Sequence, residues 1–138
     1  MEKKIHTTNY TNTLIEPAED CPVSVSTIPP DSEKPIVARQ QYDLLASNDY
    51  KYSSDEVLFR IYALRNDITE SEWQQARENF FSKGQACFRA SPLTKRFGWA
   101  IHSDSAGKIA LVSTASAEYQ KLQANEKIKK VKAMKLKR

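Results

Sequence analysis

The 138-residue chain is long enough to bury a core as one domain, and its 40% hydrophobic and 28% charged residues exclude wholesale disorder. Three glycines leave no glycine-rich phosphate loop, and no apolar run approaches the ~20 residues that span a bilayer. The net charge of +4 conceals a gradient: residues 1–82 carry 8 basic and 14 acidic side chains, 83–125 carry 6 and 2, and 126–138 carry 7 and 1.

In chain order, the opening MEKKIHTTNYTNTLIEPAEDCP lacks the continuous apolar stretch of a secretory signal. TLIEPA and the alternating PVSVSTIPP (Pro22 to Pro30) predict edge or entry strands bounded by prolines, which cannot donate to a sheet ladder. PPDSEKP is a turn, and Ile36 to Ser47 predicts a helix with Val37, Gln41, Leu44 and Leu45 near one face. Two capping boxes follow, Ser53 with Glu56 and Thr69 with Glu72, each opening a helix. In the first helix Val57, Leu58, Ile61, Tyr62 and Leu64 or Arg65 follow the helical spacing. The second carries a stripe of Trp73, Ala76, Phe80 and Phe81, stopped at Lys83 and Gly84.

From Gln85 the period falls to two. Ala86, Phe88 and Ala90 alternate with Cys87, Arg89 and Ser91; Phe97, Trp99 and Ile101 follow beyond Pro92. The turn SDSAG then leads to Ile109 and Leu111. The short connections predict an antiparallel meander over residues 86–113, with Phe88 opposite Trp99 and Ile101 opposite Ile109. Ser116 to Ala124 predicts a helix with Tyr119 and Leu122 inward. The basic end, 126–138, fits an edge strand, a frayed helix or a tail. The fold class expected is α+β, one globular domain with helices packed on an antiparallel sheet.

In that meander one face is apolar. The other sets Gly98, Ala100 and Ala110 as a floor of small residues beneath Arg89, His102, Lys108 and the Pro92–Arg96 loop. Such a floor admits close approach, either by a ligand or by a covering helix. Arg89, Lys95, Arg96 and Lys108 have the charge to hold an oxyanion, with Ser91 and His102 orienting it; the alternative is that each is solvated or ion-paired. His102, with Asp104 nearby, also suits acid–base chemistry, with Cys87 as a nucleophile and Arg89 stabilising negative charge. Cys87 and Cys21 form no CxxC, and with His6 and His102 their spacing gives no close ligand pair, so no metal and no cofactor is expected. Two thiols without an export signal point to the cytoplasm. The expected partner is an anionic small molecule. The basic end could instead dock an acidic protein surface or nucleic acid, although it has no aromatic residue to stack on a base.

The stretches IHTTNY, AEDCP (18–22), YKYSSDEVLF (50–59) and CFRASPLTKRFGWAIHSDSAGKIAL resemble an uncharacterised family of small, mostly bacterial single-domain proteins, a domain of unknown function. The resemblance runs through the closing IKKVKAMKLKR. It implies a complete one-domain protein and carries no activity or site residues with it.

Overall fold

A computed structural model describes residues 5–137; Arg138, the last residue of the basic end, lies outside them. Four strands form one mixed sheet: β1 (Thr13–Glu16), β2 (Trp99–Ser103), β3 (Ile109–Ser113) and β4 (Lys129–Lys132), in the order β3-β2-β1-β4. The β1–β2 and β2–β3 pairs are antiparallel, and β1–β4 is parallel. The helices are α1 (Val37–Ala46), α2 (Ser54–Arg65), α3 (Trp73–Phe80), the single turn α4 (Pro92–Lys95) and α5 (Ala117–Ala124). The fold is α+β.

The sheet is buried on both faces. Ile15, Ile101 and Ile109 pack with Ala38 and Leu45 of α1, Val57 and Ile61 of α2, Phe88, and Leu93 of α4. On the reverse face Leu14, Ala100 and Val112 pack under Leu122 of α5 and Ile128. β1 therefore needs apolar side chains in succession, and Leu14 and Ile15 supply them at 0% and 2% exposure. Removing either from water is worth roughly 1.5–3 kcal/mol.

The expected antiparallel sheet, with its meander over 86–113, is corrected in four places. Residues 86–91 form no strand. Phe88–Ala90 is a helical turn, and Ser91 caps α4 by accepting the Leu93 N–H, with Pro92 at its first position. Proline with a serine cap favours a helix start over a ladder. The alternation was carried by Ala86 and Ala90, residues too small to fix a face; only Phe88 is buried. β1 takes the place beside β2, pairing Ile15 with Ile101. Between β2 and β3 the register is slipped by two: Ile101 faces Leu111, and Ile109 faces Ser103. The turn sets it. Asp104 donates its N–H to the Lys108 carbonyl, its carboxylate accepts from the Ala106 and Lys108 amides, and Gly107 takes φ +80°. A slip of two keeps every side chain on its expected face. Lastly, the sheet is mixed because β4 runs parallel to β1.

Pro22–Pro30 is irregular rather than a strand, although Thr27 still donates its N–H to the Phe97 carbonyl. The basic end is an edge strand and then a docked segment. Lys129 and Ala133 donate amides to Asn12 and Glu16 carbonyls of the β1 region, and the Asp20 carboxylate accepts from the Leu136 and Lys137 amides at 2.9 and 2.8 Å. Those amides, Lys137 first, hold Asp20 below the ordinary carboxylate range.

The N-terminal segment is fixed by a buried carboxylate. Asp55, in the first turn of α2 and 8% exposed, accepts from Thr8 N–H and Thr8 Oγ1, both at 2.7 Å, and from Thr7 Oγ1 at 2.8 Å. In return, the Asp55 N–H donates to Asn9 Oδ1 at 2.9 Å. The helix N-terminus favours negative charge there. Asp55→Ala would leave the Thr8 N–H buried and unpaired and the Thr8 hydroxyl with Ser54 Oγ alone. The expected loss is on the order of 3 kcal/mol in urea unfolding, several-fold more than for an exposed Asp49→Ala control.

Candidate functional site

The residues expected to hold an anion do not converge. Arg89 Nε donates to the Lys132 carbonyl at 2.8 Å, and the Arg89 carbonyl accepts the Met134 N–H, so Arg89 closes the outer edge of β4. Ser91 is buried and its hydroxyl donates to Gln41 Oε1 of α1. Lys108 pairs with Glu56 at 3.1 Å. Lys95 and Arg96 sit at the end of α4, half-buried and exposed, with no ion pair among the described residues. His102 projects from the opposite face of the sheet to α4. Cys87 is half-buried with its thiol 3.7 Å from the Tyr10 hydroxyl.

The small-residue floor is divided. At Gly98, with φ +73°, an added Cβ would meet Val23 Cγ2 at 2.9 Å, so the chain's own Val23–Val25 segment fills the space. Ala100 is fully buried in the cluster beneath α5. The Ala110 end borders a hollow, about 390 Å³, walled by Asp49, Tyr50, Ser113, Ser116 and Glu118. Its rim is acidic, the wrong sign for an anion.

Beside that hollow the Tyr50 hydroxyl lies 2.7 Å from His102 Nδ1, with the rings edge to face at 5.5 Å. Burial lowers the His102 pKa, against the opposing pull of Asp104 and Glu118. Burial also raises that of Tyr50, helped by Glu118, Asp49 and Asp104. The phenol and the imidazole thus share a hydrogen bond in which either can be the donor, according to the histidine tautomer. Tyr50 adopts φ +57°, a backbone that a bulky aromatic residue rarely takes.

A different cation has the surroundings of a binding site. Arg60, on α2, places its guanidinium 4.7 Å from the Tyr52 ring centre and 5.2 Å from that of Trp73. Trp73 is itself held: its indole N–H donates to the Ile68 carbonyl at 3.1 Å, and Phe59 meets it edge-on at 5.7 Å. Arg60 is half-buried and has no carboxylate or hydrogen-bond acceptor among the described residues. Glu56, one turn earlier, is engaged by the Lys108 ammonium and the Ser53 N–H. Burial works against its ionisation, but those partners outweigh it and keep its pKa below the ordinary value.

Two hollows share Arg60 and Trp73 as walls. One, about 250 Å³, adds Glu56, Phe59, Gln74 and Arg77; Arg77 rests on the Phe81 ring at 5.8 Å. The other, about 590 Å³, opens between α1, α2 and the start of α3. The sequence reading missed this site because it assigned Trp73 wholly to the core stripe. The available signal was the aromatic density of YKYSSDEVLFRIY around a single arginine.

With this geometry in hand, the comparisons with known proteins bear on kinship rather than chemistry. The chain belongs to a family of unknown function, DUF6157, which matches residues 5–138. No curated protein and no solved structure matches it. Among the described residues no helix is long and apolar enough to cross a membrane, and no group of His, Cys, Asp and Glu side chains is placed to hold a metal ion.

The His102 environment sets a pH dependence. Its folded pKa lies below the unfolded value of about 6.5, so the native state disfavours the imidazolium. The stability associated with the neutral ring is fully present above pH ~6.5 and is lost as pH falls toward the lowered folded value. Melting temperature should therefore drop between pH 7 and pH 5. The drop should be smaller in His102→Gln, measured by circular dichroism in both proteins.

Proposed function

We propose that the protein binds an anionic ligand, and that Arg60 with Trp73, rather than the Arg89–Lys108 series, forms the seat. The observation that carries this is Arg60 itself: a half-buried guanidinium stacked between Tyr52 and Trp73, without an acceptor among the described residues, at the shared wall of two hollows. A guanidinium held over aromatic rings spends no N–H donor on a protein acceptor and keeps them for a planar oxyanion. Arg77 and Gln74 line the smaller hollow and add charge and an amide to the same place. Cys21 and Cys87 are both free thiols, which supports a reducing compartment such as the cytoplasm.

Acid–base chemistry at His102 is the second reading, favoured by the Tyr50 contact and by the strained Tyr50 backbone. It ranks below the first because the adjoining hollow is lined by two carboxylates and no cation to stabilise developing negative charge. Docking of a partner by the basic end is weaker still, since Asp20, Glu19 and Arg89 already engage that segment.

Thermal unfolding at low salt with benzoate, acetate, sulfate and inorganic phosphate tests the first reading. An anion at a hundred times its dissociation constant should stabilise the fold by about 2.7 kcal/mol. The gain should persist in Arg89→Ala and vanish in Arg60→Gln. The reverse pattern would return the site to the Arg89 region.

A further inference from the structure

The larger hollow narrows the ligand class, and this step rests on the anion-binding reading above. Its walls are mostly apolar: Pro35, Leu44, Ile61, Leu64, Ile68 and Trp73. At about 590 Å³ it falls in the size range that takes a small organic ligand. Leu64, on this wall, is 65% exposed, and covering it would remove apolar surface from water.

The polar groups around the rim are nearly all engaged. Asp43 is held by Arg39 Nε at 2.9 Å, Gln40 Oε1 accepts from Arg65 Nη1 at 2.8 Å, and Asn48 Nδ2 donates to the Leu44 carbonyl at 2.7 Å. Arg60 alone brings charge without a partner among the described residues. An occupant that satisfies both features has one anionic head for Arg60 and an apolar body for the groove.

The head is further restricted by charge. Asp43 lines this hollow and Glu56 the adjoining one. Each is already paired, with Arg39 and Lys108, so the larger hollow offers the single guanidinium of Arg60, which matches the charge of a monoanion and not that of a dianionic phosphate. A carboxylate also matches the planar fork of the guanidinium edge. We infer that the Arg60 groove is a binding site for an amphiphilic monocarboxylate, an aliphatic or aromatic acid whose body lies along Leu64, Ile68 and Trp73.

The test is isothermal titration of the full chain with acetate, butyrate, hexanoate and octanoate, and with octanol and octyl phosphate for comparison. Affinity should rise about four-fold per added methylene, the equivalent of ~0.8 kcal/mol for each one buried. Octanoate should bind more tightly than octanol or octyl phosphate. Leu64→Gln, an exposed position where folding is not at stake, should flatten the series. Arg60→Lys, which keeps the charge and loses the fork, should weaken every acid by a similar factor. Small anions that bind through Arg60 with no dependence on chain length would overturn this inference and leave the anion-binding reading in place. A rising series undiminished in Arg60→Gln and Arg60→Lys, or no binding by any compound, would overturn both.

Discussion

The fold depends on a carboxylate taken out of water. Asp55 is nearly covered and no cation pairs with it among the described residues; its charge is met by Thr7 and Thr8, almost fifty residues upstream, and by the first turn of α2. Burying such a group unpaired would be costly, so the partners must arrive together. Bringing HTTN to α2 also delivers the segment that follows. β1 begins five residues after Thr8 and enters the sheet between β2 and β4, where both its faces are buried. Every strand but β3 is hydrogen-bonded to β1.

The charge gradient has the same long-range character. The acidic front of the chain lies against its basic back: Lys108 on Glu56, Lys135 on Glu19, and the amides of Leu136 and Lys137 on Asp20. These exposed and half-exposed contacts contribute little individually. They engage the Lys108 and Lys135 ammonium groups and dock the basic end through its backbone. Arg60 escapes because its neighbours are aromatic rings, which orient a guanidinium without neutralising it. The cation best prepared for a ligand is therefore an isolated one in an ordinary-looking helix.

Legibility followed the range of the interaction. The Ser53 capping box appears as expected, with Ser53 Oγ accepting the Glu56 N–H and Glu56 Oε1 accepting the Ser53 N–H. At Thr69 the Glu72 carboxylate accepts both the backbone and hydroxyl protons of the threonine. Ser116 caps α5 through the Tyr119 N–H, and Leu122 turns inward as the periodicity required. The strand over 86–91 failed because Ala86, Ala90 and Phe88 satisfy a turn as readily as a ladder. The anion cluster was assembled on that strand, and without it Arg89, Ser91 and Lys108 engage Lys132, Gln41 and Glu56 separately. His102 was singled out from composition, but its partner Tyr50 lies 52 residues away and could not be inferred.

By itself the sequence determined the α+β class, the extent of α1, α2 and α5 to within a residue or two, and the faces of β2 and β3. Each of these is settled by neighbours within a few turns or by the two-residue period of a strand. Tertiary structure decided which strand lies beside β2, that β4 runs parallel to β1, and which basic side chains are already spent. Those outcomes depend on buried polar groups finding partners across the chain, a constraint that leaves no periodic mark. The same holds for Arg60: Tyr52 and Trp73 surround it only once α2 and α3 have packed.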